Sequence, residues 1–74
     1  MRVGQVRALI RTEPQHSEKL ARALGAWFDW RRFHHDMKYD AIIEEVQVMR
    51  PQLDRGSIDE HLLLAEEIEA RERG

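Results

Sequence analysis

The chain contains no cysteine, and in a protein of only 74 residues this restricts how a stable fold can be made. Chains of this length bury only about 60% of their extended surface, so many depend on disulfides, a structural metal or a partner subunit. Without cysteine, disulfides are excluded and a structural metal site loses one of its usual ligands. The fold must therefore rest on close packing or on association, and we expect one domain spanning residues 1–74.

Apolar residues recur at helical spacing along the chain, and no segment alternates strictly between apolar and polar residues. This pattern predicts an all-α fold. We expect a small bundle of three main helices, at about residues 13–35, 37–50 and 57–72, with a short helix in front of them. Pro51 limits the second of these helices, because proline cannot continue a helix from its interior.

Two local motifs indicate where helices begin. Thr12, Pro14 and Gln15 match a helix start, because threonine can accept a backbone hydrogen bond and proline is tolerated in the first turn. Ser57 and Glu60 match a capping box, with the serine as N-cap and the glutamate three residues later. We therefore expect the first long helix to begin near residue 13 and the last near residue 57.

The aromatic residues are concentrated in the second half of the first long helix. Before Gly25 the apolar stripe centres on Leu20, whereas beyond it the stripe shifts by about 80° and includes Trp27 and Trp30. Arg31 falls in the middle of the first stripe. We expect either a bend or turn near Gly25, or an aromatic arc covered from two sides, by the chain's own core and by a second molecule.

Aromatic side chains interleaved with arginine have the composition of a protein interface. The predicted partner-binding residues are Trp27, Phe28, Trp30, Arg31, Arg32, Val48 and Leu63. Phe28 lies away from the other rings, so we expect Phe28→Ala to leave thermal stability nearly unchanged and to weaken association. Val48 and Leu63 also lie outside the apolar stripes of their helices. For Trp27 and Trp30, a place in the core is an equally good interpretation.

The formal net charge of −2 hides a division between the two halves of the chain. Residues 1–35 hold seven Lys and Arg against three Asp and Glu, giving +4, whereas residues 36–74 hold five against eleven, giving −6. Such a division can draw the halves together, orient two copies head to tail or present a basic face to an acidic partner. Solvated helix faces of unequal sign explain it equally well.

These features predict a small non-enzymatic helical protein that binds another protein, as a regulator, an inhibitor or an accessory subunit. A second copy of the chain, forming a homodimer, is one candidate partner. The alternative is a helix-turn-helix DNA-binding transcriptional regulator, because Ala21 and Gly25 are spaced as in the first helix and turn of that motif. Arg31, Arg32 and His35 would then lie on the recognition helix, although the acidic net charge argues against DNA binding.

Catalytic, metal-binding and membrane functions have little support in the sequence. No histidine pair is spaced to bind a metal from one helix face, and Ser17 and Ser57 are explained by helix starts. We expect no enzyme activity, no cofactor and no metal. The first residues carry arginine at positions 2, 7 and 11 and no long apolar run, so we expect no membrane segment and a cytoplasmic protein.

Overall fold

The computed structural model describes residues 2–74 and contains four helices joined by short connections. These are α1 (Val3–Thr12), α2 (Glu18–His34), α3 (Tyr39–Met49) and α4 (Arg55–Arg73). No strand occurs among these residues, and 78% of them are helical. The prediction of an all-α bundle is confirmed, and the short N-terminal helix is present as α1.

The first long helix begins at Glu18, five residues later than the sequence motif indicates. Thr12 is the last residue of α1, where its hydroxyl donates to the carbonyl of Ala8 (2.8 Å). Ser17 is the N-cap of α2, and its Oγ accepts a hydrogen bond from the backbone N–H of Leu20 (3.0 Å). The residue before Pro14 is extended, as proline requires, so residues 13–17 form a connection.

The last helix begins earlier than predicted, because a different residue caps it. Asp54 is the N-cap of α4, and its carboxylate accepts from the backbone N–H of Ser57 (2.7 Å). Ser57 therefore lies inside the helix, where it is buried and its hydroxyl accepts from the side-chain amide of Gln15 (3.2 Å). The predicted cap at Ser57 is wrong because this serine is used in a contact between α4 and the α1–α2 connection.

Gly25 lies inside a continuous helix, so the chain makes no turn there. A Cβ atom built at Gly25 would lie 3.1 Å from the Cβ of Ala65, which is closer than ordinary van der Waals contact. The glycine therefore allows α2 and α4 to approach closely at this point. The spacing of Ala21 and Gly25 reflects helix packing, and the turn of the helix-turn-helix alternative is not formed.

We expect Gly25→Leu to have a free energy of unfolding about 1–3 kcal/mol below that of Gly4→Leu, because both changes raise helix propensity and only the one at Gly25 crowds Ala65 of α4. Chemical denaturation followed by circular dichroism measures this change. Gly4→Leu is the matched control, since no atom lies within 4 Å of a Cβ built at Gly4. Equal stabilities of the two variants would contradict the close approach of α2 and α4.

The core is built around α2, which packs against each of the other three helices. The buried apolar cluster comprises Val6, Ile10, Leu20, Ala23, Leu24, Trp27, Phe28, Ile42, Ile43, Val46, Leu53 and Ile58. Because three neighbours surround α2, they bury Leu20, Trp27 and Phe28 within a single chain, whereas Trp30 is partly buried and Phe33 is exposed. A bend near Gly25 and a second molecule are therefore not needed to bury Trp27 and Phe28.

The side chains of Arg50 and His61 hydrogen-bond to the end of α1 and to the α1–α2 connection. The guanidinium of Arg50 donates to the carbonyls of Ile10 (3.0 Å) and Glu13 (2.5 Å), at the C-terminal end of α1. His61 on α4 is 2% exposed, and its Nε2 accepts from the backbone N–H of His16 (3.0 Å). These bonds hold the α1–α2 connection against α3 and α4.

Candidate protein-binding site

Trp27 and Phe28 are core residues, and neither side chain is exposed to any large extent. Their side chains are 2% and 3% exposed, respectively, in the cluster surrounded by α1, α3 and α4. The prediction that Phe28 lies on the surface is wrong, because a helix wheel compares a residue only with its own helix. Phe28 faces away from the other rings of α2 and packs against Tyr39, at a ring-centroid distance of 5.3 Å.

Arg31 is also committed to contacts within the chain. Its Nε donates to Oε1 of Glu45 (2.8 Å), and a second guanidinium nitrogen lies 2.8 Å from Oε2. The indole N–H of Trp27 donates to the same Oε1 atom (2.7 Å). The guanidinium lies 4.5 Å from the ring centroid of Trp30 and 5.0 Å from that of Trp27. These contacts join α2 to α3 and leave Arg31 unsuited to the partner or DNA contact that the sequence predicts.

The remaining predicted residues are separated over the surface. Trp30 is partly buried, and its ring contacts His35 edge-on at a centroid distance of 4.3 Å. Val48 is 81% exposed on α3, and Leu63 is 60% exposed on α4. Of these, only Leu63 joins Arg32 in lining a groove between α2 and α4, so the predicted surface is not one continuous patch.

The groove between α2 and α4 is open to solvent and has a volume of about 470 Å³. Its walls are two helix faces, with Gly25, Phe28, Asp29 and Arg32 on α2, and Asp59, Leu62, Leu63, Ala65, Glu66 and Glu69 on α4. Residues spaced three, four and seven apart lie on one face of a helix, so each wall follows directly from the helical geometry. Tyr39, the first residue of α3, also lines the groove.

The charges around the groove are mostly negative. Asp29, Asp59, Glu66 and Glu69 line it, against a single arginine, Arg32. Glu69 forms an ion pair with Arg73, one turn further along α4. Within residues 2–74, neither Asp29 nor Glu66 has a cationic nitrogen within 4.0 Å. The groove therefore combines apolar side chains with two carboxylates, those of Asp29 and Glu66, that form no ion pair within residues 2–74.

Tyr39 and Asp59 join α3 to α4 beside the groove. The hydroxyl of Tyr39 donates to the carboxylate of Asp59. Burial, followed by this hydrogen bond and the negative charge of Asp59, raises the pKa of Tyr39 to about 12. The hydrogen bond between Tyr39 and Asp59 positions the start of α3 beside the groove. Because its pKa is raised, the phenol of Tyr39 stays neutral at neutral pH and does not supply a proton there.

We expect the phenol to titrate near pH 12, where a free tyrosine has a pKa of about 10. The chain has one tyrosine, so ultraviolet absorption of tyrosinate reports this group alone. Because the folded-state pKa is raised, stability from the neutral phenol is present below a pH of about 10 and is lost as pH rises through about 12.

Asp59→Asn should move this titration toward the ordinary value, since it removes the negative charge that opposes tyrosinate. Asp36→Asn is the control, because Asp36 lies in the α2–α3 connection with a positive φ of 51°, a conformation that asparagine also tolerates. The same midpoint in the wild type and in Asp59→Asn would contradict the contact between Tyr39 and Asp59.

Several groove residues were missed by the sequence prediction. Asp29, Tyr39, Asp59, Leu62 and Glu66 line the groove, and none was among the predicted partner-binding residues. The sequence carried one signal of this surface, which is that Leu63 lies outside the apolar stripe of α4. Asp59 lies four residues before Leu63 and Glu66 three residues after it. That spacing defines a second face of α4, but it does not show which helix lies opposite.

Comparison with known proteins finds no matching family model, no matching curated protein and no matching solved structure. Within residues 2–74, no helix combines the length and the apolar character needed to cross a bilayer. In the same residues, no group of three or more His, Asp or Glu side chains is arranged to hold a metal ion.

Proposed function

We propose that this chain is a small non-enzymatic helical protein that binds another protein, and that the groove between α2 and α4 is the docking surface. The observation that carries this proposal is Leu63, a large apolar side chain that is 60% exposed within a groove also lined by Leu62 and Phe28. Apolar contacts surrounded by polar residues are typical of protein interfaces. A regulator, an inhibitor or an accessory subunit needs such a surface and no catalytic group.

The geometry favours protein binding over the DNA-binding alternative. A recognition helix must present cationic side chains to phosphates and base edges. In α2, Arg31 is paired with Glu45, and Gly25 lies within a helix where the motif needs a turn. The carboxylates that line the groove would also repel the phosphate backbone. No observation favours nucleic acid as the ligand of this surface.

A peptide library displayed on phage tests the proposal. The wild-type chain is the bait, and Leu63→Asp is used to remove peptides that bind elsewhere. We expect selected peptides to lose at least about tenfold in affinity for Leu63→Asp, because a charge replaces an exposed apolar contact in the interface.

Val48→Asp is the matched control, since Val48 is 81% exposed on α3 and does not line the groove. It should bind the selected peptides as the wild type does, and both variants should remain folded because the substituted side chains are exposed. The proposal would be overturned if the selection gave no peptide that binds the wild type more tightly than it binds Leu63→Asp. It would also be overturned if Val48→Asp lowered the affinity for the selected peptides as much as Leu63→Asp does.

A further inference from the structure

The groove has the length and the wall structure to hold a short helix; this inference rests on the proposed function. Its residues on α4 extend from Asp59 to Glu69, which corresponds to about 15 Å along the helix axis. Both walls are helices, whose backbone groups are already hydrogen-bonded within each helix. An extended peptide would find no backbone partners there, whereas a helix satisfies its own backbone.

The charges of the groove specify the flanks of the bound helix. Asp29 lies on the α2 wall and Glu66 on the α4 wall, so each side is bordered by a carboxylate that forms no ion pair in the described part of the chain. Asp59 lies seven residues before Glu66, about two helical turns away. Lys or Arg on both sides of an apolar stripe would complement these groups, and acidic flanks would be repelled.

A second copy of this chain does not provide a suitable helix. Two copies of the groove facing each other would bring like charges together, because carboxylates outnumber the single arginine, Arg32, in each. Among the helices within residues 2–74, α1 is the one that carries basic residues, Arg7 and Arg11, and no acidic residue. Its apolar residues Val6 and Ile10 are buried in the chain's own core. Val3, which is 40% exposed, and the partly buried Leu9 lie about 120° apart around the helix, so α1 has no exposed apolar stripe to offer.

We infer that the groove binds an amphipathic helix of a partner protein, about three turns long, with lysine or arginine on both flanks of its apolar stripe. The apolar side chains of this helix contact Leu62 and Leu63, and its cations lie near Asp29 and Glu66. The partner is thus specified by its chemistry as a basic amphipathic segment.

Two designed peptides test the inference on the complete chain. Both are helices of about 14 residues held by a side-chain staple, because shorter unconstrained helices are marginal in water. They share one apolar stripe and differ in having lysines or glutamates on the flanks. Calorimetry measures their affinities, and nuclear magnetic resonance locates the affected residues.

We expect the lysine peptide to bind at least about tenfold more tightly than the glutamate peptide at low salt, and the difference to narrow at about 0.5 M salt because charges are screened. The double variant Asp29→Asn with Glu66→Gln should reduce the preference for lysine several-fold. Glu44→Gln with Glu67→Gln removes the same charge from exposed positions outside the groove and should leave the preference unchanged.

Three outcomes would overturn the inference. Equal or tighter binding of the glutamate peptide would show that the flanks are not basic, while the docking surface itself would stand. If neither peptide bound, a basic amphipathic helix would be excluded as the ligand of the groove. The phage selection would then test separately whether the groove binds a protein at all. Self-association in sedimentation experiments that Leu63→Asp abolishes would assign the groove to a second copy of the chain.

Discussion

Replacing Phe28 with alanine is expected to lower the free energy of unfolding by about 3–5 kcal/mol, the usual effect of removing a buried aromatic ring. The ring is 3% exposed and packs against Tyr39 at a centroid distance of 5.3 Å. Its removal leaves a cavity between α2 and the start of α3. Because small domains have a total stability of only about 5–15 kcal/mol, urea denaturation should show a large shift of the midpoint.

Phe33→Ala provides the matched control on the same helix. Phe33 is 76% exposed, so its removal should change the free energy of unfolding by no more than about 0.5 kcal/mol. If Phe28→Ala were as stable as Phe33→Ala, the result would show that Phe28 is a surface residue, as the sequence pattern indicated. A large difference in the free energy of unfolding between these variants would show that Phe28 is a core residue and Phe33 is an exposed one.

The second large effect is expected at Glu45, where one carboxylate binds two side chains of α2. Glu45→Ala should lower the free energy of unfolding by about 2–3 kcal/mol, because it leaves the cation of Arg31 and the indole N–H of Trp27 without their acceptor. The side chains of Arg31 and Glu45 are only 22% and 27% exposed, so water replaces these contacts incompletely. Chemical denaturation followed by tryptophan fluorescence measures the loss.

Glu44→Ala is the control for this experiment, since Glu44 is an exposed carboxylate on the same helix. It should change the free energy of unfolding by no more than about 0.5 kcal/mol. A double-mutant cycle of Glu45→Ala with Arg31→Met should give a coupling of about 1–2 kcal/mol between the two side chains. Additive effects, or equal stability of the two alanine variants, would contradict a stabilising contact between Glu45 and Arg31.

The helix ends show where local motifs are insufficient. Both Asp54 and Ser57 are residues that commonly cap helices, and the sequence motif favoured Ser57. In the structure Asp54 caps α4, and Ser57 is buried and bonded to Gln15, which lies 42 residues away. A contact over that separation cannot be inferred from the spacing of residues around the cap. The choice between the two candidate caps therefore depended on how the helices pack.

The sequence indicated only some of the residues that line the groove, for the same reason. Phe28, Arg32 and Leu63 were among the predicted partner-binding residues, and all three line the groove. Asp29 and Glu66 gave no signal of their own, because an acidic residue on an exposed helix face is ordinary. They become informative only when α2 and α4 lie side by side. Val48 remains an isolated exposed side chain, and nothing in the structure joins it to this surface.

The helical class, the presence of four helices and the apolar stripes follow from residue spacing alone, because helical periodicity relates residues within a few positions of one another. The side of α2 that becomes buried is decided by its three neighbours. They cover Trp27 and Phe28, engage Arg31 through Glu45 and leave Leu63 exposed in a groove. These outcomes depend on contacts between residues distant in the chain, which only the packed structure determines.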